Sequence, residues 1–206
     1  MTKSKIYMRR LVDIAIASLA LAALSPLLVL VALAVCISSP GNPFYGGWRA
    51  GQNGRNFRMW KFRTMIGGAA KMGPITGKND PRVTPLGRIL RKTKVDELPQ
   101  FFNLLWGDMT LVGPRPESPE IVALYTPSQR VVLAVKPGVT GKVQLDSDDE
   151  SETIPEGAPA YEYYLTHLMD RKLRMDLEYL RGRTVFTDVK IVLATAGLMF
   201  RAFARR

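Results

Sequence analysis

Cysteine and histidine are almost missing from this chain: Cys36 and His167 are the only ones among 206 residues. One cysteine excludes a disulfide framework and any cysteine-based zinc cluster. One histidine excludes a His-rich metal site and leaves little room for a Ser-His-Asp triad. An acid, base or nucleophile must come from carboxylates, Lys, Tyr or hydroxyls. Global disorder is excluded by the 47% of hydrophobic residues. The length fits one domain, or one domain with appendages, and no internal repeat is visible. Acid is scarce in one region. Residues 49–94 hold twelve Lys or Arg and a single acid, Asp80, a net +11, which is the charge of the whole chain. So local an excess points to a polyanion met at one place: nucleic acid, anionic lipid headgroups or a phosphorylated substrate.

From Leu11 to Ile37, 27 residues carry one charge, Asp13. As a helix this run extends about 40 Å, enough for a hydrocarbon core of about 30 Å. A signal peptide fits the basic start (Lys3, Lys5, Arg9, Arg10), but the run is longer than an ordinary h-region. A spanning helix has cations on both flanks, with Arg49, Arg55, Arg58, Lys61 and Arg63 soon after, and the positive-inside rule cannot be met twice. Ser25-Pro26 near the middle supplies a third reading. The proline removes a backbone hydrogen bond, the serine satisfies a freed carbonyl, and the helix turns back within one leaflet. Proline is also tolerated in spanning helices, so these residues by themselves leave both topologies open.

Beyond the run, 38–48 reads as a turn-rich exit with Phe44, Tyr45 and Trp48, suited to an interfacial belt or to loop packing. Residues 56–65 alternate as a short strand or hairpin edge. Residues 66–85 read as a loop, 86–95 as a helix, 111–119 as a proline-rigid loop holding Arg115. Helical pattern is expected over 120–135 and 160–183, a turn at 137–141, and an acidic solvated loop at 146–156. The stretch from Val185 mixes apolar and basic residues, as in an amphipathic helix on a membrane surface or one packed on the core. His167 reads as structural, and Cys36 receives no role.

Asp96-Glu97 is the first chemical constellation. The pair follows Arg88, Arg91, Lys92 and Lys94, and Asp96 is expected to cap a helix whose first turn holds Pro99. Helix N-termini attract phosphate and keep a carboxylate ionised, as a nucleophile requires. A carboxylate with phosphate oxygens is also the usual way magnesium is held. Phosphoryl transfer with a metal is thus one reading, and a capped helix with a solvated basic face is the other. Arg115, fixed between Pro114 and Pro116, is suited to grip a phosphate, or else pairs with Glu117.

Lys61-Phe62-Arg63-Thr64-Met65, Asp80-Pro81-Arg82-Val83-Thr84, Gly87-Arg88 through Arg91 to Gln100, Asn103, Gly107-Asp108-Met109, Leu111 to Glu117 and Pro137-Gly138-Val139-Thr140-Gly141 occur in order. Together they resemble the bacterial sugar transferase family, the monotopic phosphoglycosyl transferases, over nearly the whole chain and at the size of members holding only the catalytic domain. The resemblance implies an α+β, mostly helical monotopic membrane protein. It would have a re-entrant helix broken at Ser25-Pro26 within residues 1–40, and a catalytic domain over 41–206 with a small β element. Residues 184–206 would be a candidate surface helix. It implies transfer of a sugar 1-phosphate from a UDP-sugar to polyprenol (undecaprenyl) phosphate, releasing UMP, at the cytoplasmic leaflet of the bacterial inner membrane. Asp96 would be the nucleophile, forming a covalent aspartyl-phosphosugar. Glu97 would assist, and Mg2+ would bind at Asp96. Arg91, Arg115, Lys61 and Arg88 would hold phosphate oxygens. Members often carry an arginine shortly after the position of Gln144. Here an acidic stretch follows, so either Lys142 or a distant arginine supplies that contact, or the stretch reflects a different donor sugar. The expected partners are the UDP-sugar, polyprenol phosphate and membrane lipid, without nucleic acid; a homo-oligomer is left open. The alternative is a membrane-anchored basic protein binding nucleic acid or anionic lipid, with Phe57, Trp60 and Phe62 interleaved among cations.

Overall fold

A computed structural model describes residues 3–73, 75–146 and 153–204. The chain opens with one long helix, α1 (Lys3–Ser38), 36 residues and so about 54 Å. It runs through Pro26 as one hydrogen-bonded element, so the expected break is not an interruption of the helix; Ser25 Oγ donates to the Ala22 carbonyl at 2.9 Å. Most of its apolar surface is exposed, including Leu19, Leu30 and Leu33. A single stripe is not. Asp13, Ala17, Leu24, Leu28, Val31, Ala32 and Val35 face the rest of the chain, with Ala17 at 0% and Val35 at 1% exposure.

Both halves of α1 are tied to the same domain. Near its start, Asp13 is buried and accepts from Thr110 Oγ1 (2.8 Å) and the Leu111 N–H (3.0 Å). Arg10 donates to the carbonyls of Leu104 and Leu105, where a helix end leaves them unpaired. At the far end, Arg63 donates to the carbonyls of Ser39 and Pro40 and holds the exit of the helix.

A hairpin follows. β1 (Phe44–Ala50) pairs antiparallel with β2 (Asn56–Phe62), placing Tyr45 opposite Lys61 and Trp48 opposite Arg58. The expected turn over 38–48 is therefore half strand. Its glycines and aromatics obscured a pairing that β2 supplies. The 66–85 segment is a loop with one short 3-10 turn, organised by buried Arg82, which pairs with Asp80 and donates to the carbonyls of Ala69, Gly73 and Ile75.

α2 (Pro85–Lys92) begins at Thr84, whose Oγ1 accepts the Gly87 N–H. A Cβ on Gly87 would stand 2.1 Å from the Thr64 carbonyl oxygen, so glycine alone lets α2 lie against the end of β2. α3 (Gln100–Trp106) sends Asn103 across to the edge of β2, bonding the Trp60 N–H and the Arg58 carbonyl. β3 (Thr110–Val112) pairs in parallel with β4 (Gly138–Thr140), so the expected 137–141 turn is a short strand. Only α4 (Pro119–Ala123) and a 3-10 stretch occupy the expected 120–135 helix.

α5 (Lys142–Asp146) precedes a helix in three parts: α6 (Ala160–Tyr163), a π turn (Tyr164–Leu168) and α7 (Met169–Arg181). The acidic residues 147–152 lie outside the described residues. α8 (Val185–Ala204) closes the fold. It buries Ile191 and exposes Val185, Phe186, Val189 and Leu193. Asp188 near its start receives Arg9 from α1 (3.3 Å), Tyr179 from the last turn of α7 and Arg183 from the connection after it.

Candidate active site

The dyad sits in a 3-10 turn, Val95–Glu97, entered through Lys94 in the left-handed region at φ 57°. Only a few per cent of non-glycine residues adopt that conformation, which costs about 1 kcal/mol or more and gathers at functional sites. Asp96 is thus not the cap of α3, as its spacing suggested. Pro99 occupies that position, and the carboxylate is released from capping.

The residues flanking the dyad fix its depth. Val95 and Leu98 are buried with Phe62, Leu90 and Val35, against Leu24, Leu28, Val31 and Ala32 of α1. The turn of Asp96 and Glu97 is therefore packed directly on the apolar helix.

The two carboxylates differ sharply. Glu97 Oε1 accepts from Lys61 Nζ at 2.6 Å and from an Arg115 guanidinium nitrogen at 3.3 Å. Burial opposes its charge, but the two cations win and hold its carboxyl well below the usual range. Asp96 is 6% exposed, and its Oδ1 has no partner. Burial, reinforced by the neighbouring Glu97 charge, outweighs the pull of Lys61, Arg91 and Lys94 and raises it to about 6. Gln100, four residues along and 2% exposed, leaves its Nε2 unpaired too. One acid is neutralised in place; the other is buried and unsatisfied, the state in which an oxygen is ready for an incoming group.

Lys61 and Arg115 thus converge with the dyad as expected. Arg91 is close by through Thr64, whose Oγ1 accepts its Nε–H at 2.9 Å. Arg88 is exposed one turn earlier on α2 and is not drawn into the ion pairs. Arg63 and Arg82 are spent on internal carbonyls, so part of the local +11 is structural. The alternative pairing of Arg115 with Glu117 is not what forms. Glu117 accepts from Lys172 Nζ (3.0 Å) and the Tyr164 hydroxyl (2.6 Å).

Lys172, Tyr164 and Asp176 escaped the sequence reading. They lie far from the dyad along the chain, in a stretch that reads as an ordinary helix. The usable signal was periodicity: Lys172 and Asp176 fall on the same face as Leu168 and Tyr179, and charges at core positions need partners. Lys142 is exposed at the start of α5.

Among the described residues, no three His, Cys, Asp or Glu side chains converge on a metal position. One free carboxylate oxygen is still what Mg2+ requires when substrate phosphates and water complete its octahedron. Asp96 Oδ1 fits that demand.

With this geometry in hand, a family model described as bacterial sugar transferase matches residues 4–202. The chain belongs to that family. A UDP-glucose:undecaprenyl-phosphate glucose-1-phosphate transferase of Escherichia coli (strain K12) is 37% identical over 207 residues, 97% of this chain and 41% of that protein. A protein of the same name from Caulobacter vibrioides is 36% identical, covering 91% of this chain and 67% of the relative. An exopolysaccharide production protein, ExoY, of Sinorhizobium fredii is 34% identical, covering 91% and 83%. The chain thus spans about two fifths of the E. coli relative and most of the Sinorhizobium one.

Proposed function

We propose that the chain is a phosphoglycosyl transferase that moves a sugar 1-phosphate from a UDP-sugar to undecaprenyl phosphate and releases UMP. The observation that carries this reading is the division of labour in the dyad: a buried Asp96 whose Oδ1 has no partner, beside a Glu97 clamped by Lys61 and Arg115. Relatives named for glucose-1-phosphate transfer to undecaprenyl phosphate support it.

In the first step an Asp96 oxygen attacks the sugar-bearing phosphorus. The bond from that phosphorus to the bridging oxygen breaks, and UMP leaves with the electron pair. The aspartyl-phosphosugar carries the sugar phosphate. In the second, an oxygen of the lipid phosphate attacks the same phosphorus, the Asp96–phosphorus bond breaks, and the carboxylate is regenerated. Two in-line displacements retain configuration at phosphorus. Lys61, Arg115 and Arg91 offset the charge of two anionic substrates meeting at an acid, and positioning supplies most of the catalysis. Asp96 Oδ1 would hold Mg2+, which would supply further charge neutralisation on the diphosphate.

The same reading places the protein in the cytoplasmic leaflet. α1 is long and apolar enough to cross a bilayer, yet both its halves return to one domain and both flanks are basic. A re-entrant path bent near Ser25-Pro26 satisfies these facts together. The exposed apolar residues of α8 then lie along the interface, and the lipid phosphate meets the dyad at headgroup depth.

The test is UMP release from a panel of UDP-sugars with Mg2+ and undecaprenyl phosphate. Release by the parent, abolished in Asp96→Asn, is the expected result. No release from any donor contradicts the reading and favours a basic lipid-binding protein.

A further inference from the structure

Lys172 is a buried cation that the proposed reaction does not use. It lies on the first turn of α7 and is 8% exposed, and Tyr164, at the head of the π turn, is 1% exposed. With Glu117 they close a triangle. The Tyr164 hydroxyl donates to Glu117 Oε1 at 2.6 Å, Lys172 Nζ donates to the same oxygen at 3.0 Å, and Lys172 Nζ also donates to the Tyr164 hydroxyl at 3.1 Å. The π turn makes the triangle possible. Eight residues apart in a uniform α-helix, two side chains point about 80° away from each other. The π turn takes up one extra residue, about 100° of rotation, and brings Tyr164 and Lys172 within about 20° of one face. The cavity of about 20 Å³ beside them, which Arg115 also lines, has room for one water and none for a substrate.

Glu117 belongs to the loop that carries Arg115. Upstream, β4 holds the loop: the Gly113 N–H donates to the Thr140 carbonyl (3.0 Å), and the Pro114 carbonyl accepts the Gly138 N–H (2.9 Å). Downstream, Glu117 is held twice, its carbonyl by the Ala50 N–H (2.9 Å) and its carboxylate by Lys172 and Tyr164. Only Arg115 and Pro116 lie between the two anchors. Prolines 114 and 116 fix φ at about −65°, so pinning both ends sets the direction in which the Arg115 side chain leaves the loop. That side chain reaches Glu97 Oε1 at 3.3 Å. A buried ion pair is a weak source of stability, because desolvation cancels most of its attraction. Here it ties a helix to the loop beside the dyad.

We propose that Glu117, gripped by Lys172 and Tyr164, is a positioning residue for Arg115: the triangle anchors the downstream end of the loop and so aims that guanidinium at the site. The proposal rests on the phosphoglycosyl-transferase reading. It assigns Glu117, Lys172 and Tyr164 no contact with substrate; their effect passes through Arg115.

Replacements that leave no buried charge separate this role from bulk stability. Lys172→Met with Glu117→Gln keeps an oxygen on the loop for the Tyr164 hydroxyl. Lys172→Met, Glu117→Leu and Tyr164→Phe together fill the same space without a polar contact, a change that is often neutral or stabilising. Thermal melts and kcat for UMP release are measured with the full chain for both, for Arg115→Ala, and for Arg115→Ala added to the triple variant. All are expected to melt cooperatively. The triple variant is expected to lose about 10- to 100-fold in kcat, and the double variant to stay within about threefold of the parent. Arg115→Ala is expected to be no slower when the triple variant is added to it. Should the triple variant fail to melt cooperatively, Tyr164→Phe alone takes its place, with a smaller loss that again vanishes on Arg115→Ala. A triple variant with parental kcat overturns the proposal, as does a double variant as slow as the triple one, or losses that multiply with Arg115→Ala. In each of those cases the Asp96 reading stands if the parent still releases UMP. A parent that releases none overturns that reading and this proposal with it.

Discussion

Asp96 and Asp176 are both buried acids with raised pKa, but their consequences differ. For Asp96 the ionised form is the attacking one, so the rate of donor consumption is lost as pH falls through about 6, tenfold per unit below it. A pH–rate profile flat down to pH 4.5 contradicts this. Asp96→Asn lowers turnover by about 10⁴-fold or more without unfolding, because a neutral amide is cheaper to bury than the carboxylate. Asp176 is pushed up to about 7, chiefly by burial. The folded chain keeps that proton until about pH 7, while the unfolded chain gives it up near 4, so stability falls between those values as pH rises. Asp176→Asn removes that loss. Its Tm gain over the parent is therefore larger at pH 8 than at pH 5, and equal gains at both contradict the assignment.

At the scale of elements, the site is a set of short pieces aimed by specific contacts. Gly87 lets α2 touch β2, and that contact brings Arg91 to Thr64. Gly87→Ala forces the two apart, costs roughly 1–3 kcal/mol and slows UMP release; Thr84→Ala costs about 1 kcal/mol through the lost cap with a smaller effect on rate. Thermal melts paired with activity separate the two, and a Gly87→Ala variant with parental rate contradicts the placement of Arg91. The dyad, Lys61, Arg91 and Arg115 could be singled out because each stands in a contiguous motif, rich in cations or in Pro and Gly. Lys172 was not, since its partner Glu117 lies 55 residues away and no local pattern announces a long-range ion pair. Strands β1, β3 and β4 were hidden for the same reason: three to seven residues, broken by glycine in β1 and β4, carry little periodicity, and the partner strand decides them. The expected Asp96 cap failed because a left-handed Lys94 turns the chain before α3 begins, a tertiary choice that spacing alone does not encode.

For the whole molecule, one long helix, apolar enough to cross a membrane, is also the bed on which the turn of Asp96 and Glu97 packs. Its single internal acid, Asp13, is consumed by Thr110 and Leu111 rather than left in an apolar face. The re-entrant path predicts that Ser4→Cys, in a chain carrying Cys36→Ser, is shielded from a membrane-impermeant maleimide outside intact spheroplasts and labelled after permeabilisation. Adding Pro26→Ala removes the element that permits the bend, and external labelling appears. Labelling of the Pro26 parent from outside contradicts the topology. The account turns most directly on the bond between Asp96 and phosphorus. Mass spectrometry of protein quenched after mixing with donor and Mg2+, without lipid, is predicted to show the peptide containing Asp96 heavier by one sugar phosphate, and no such species in Asp96→Asn. Product forming at the parental rate while that peptide never gains the mass is the result that contradicts it.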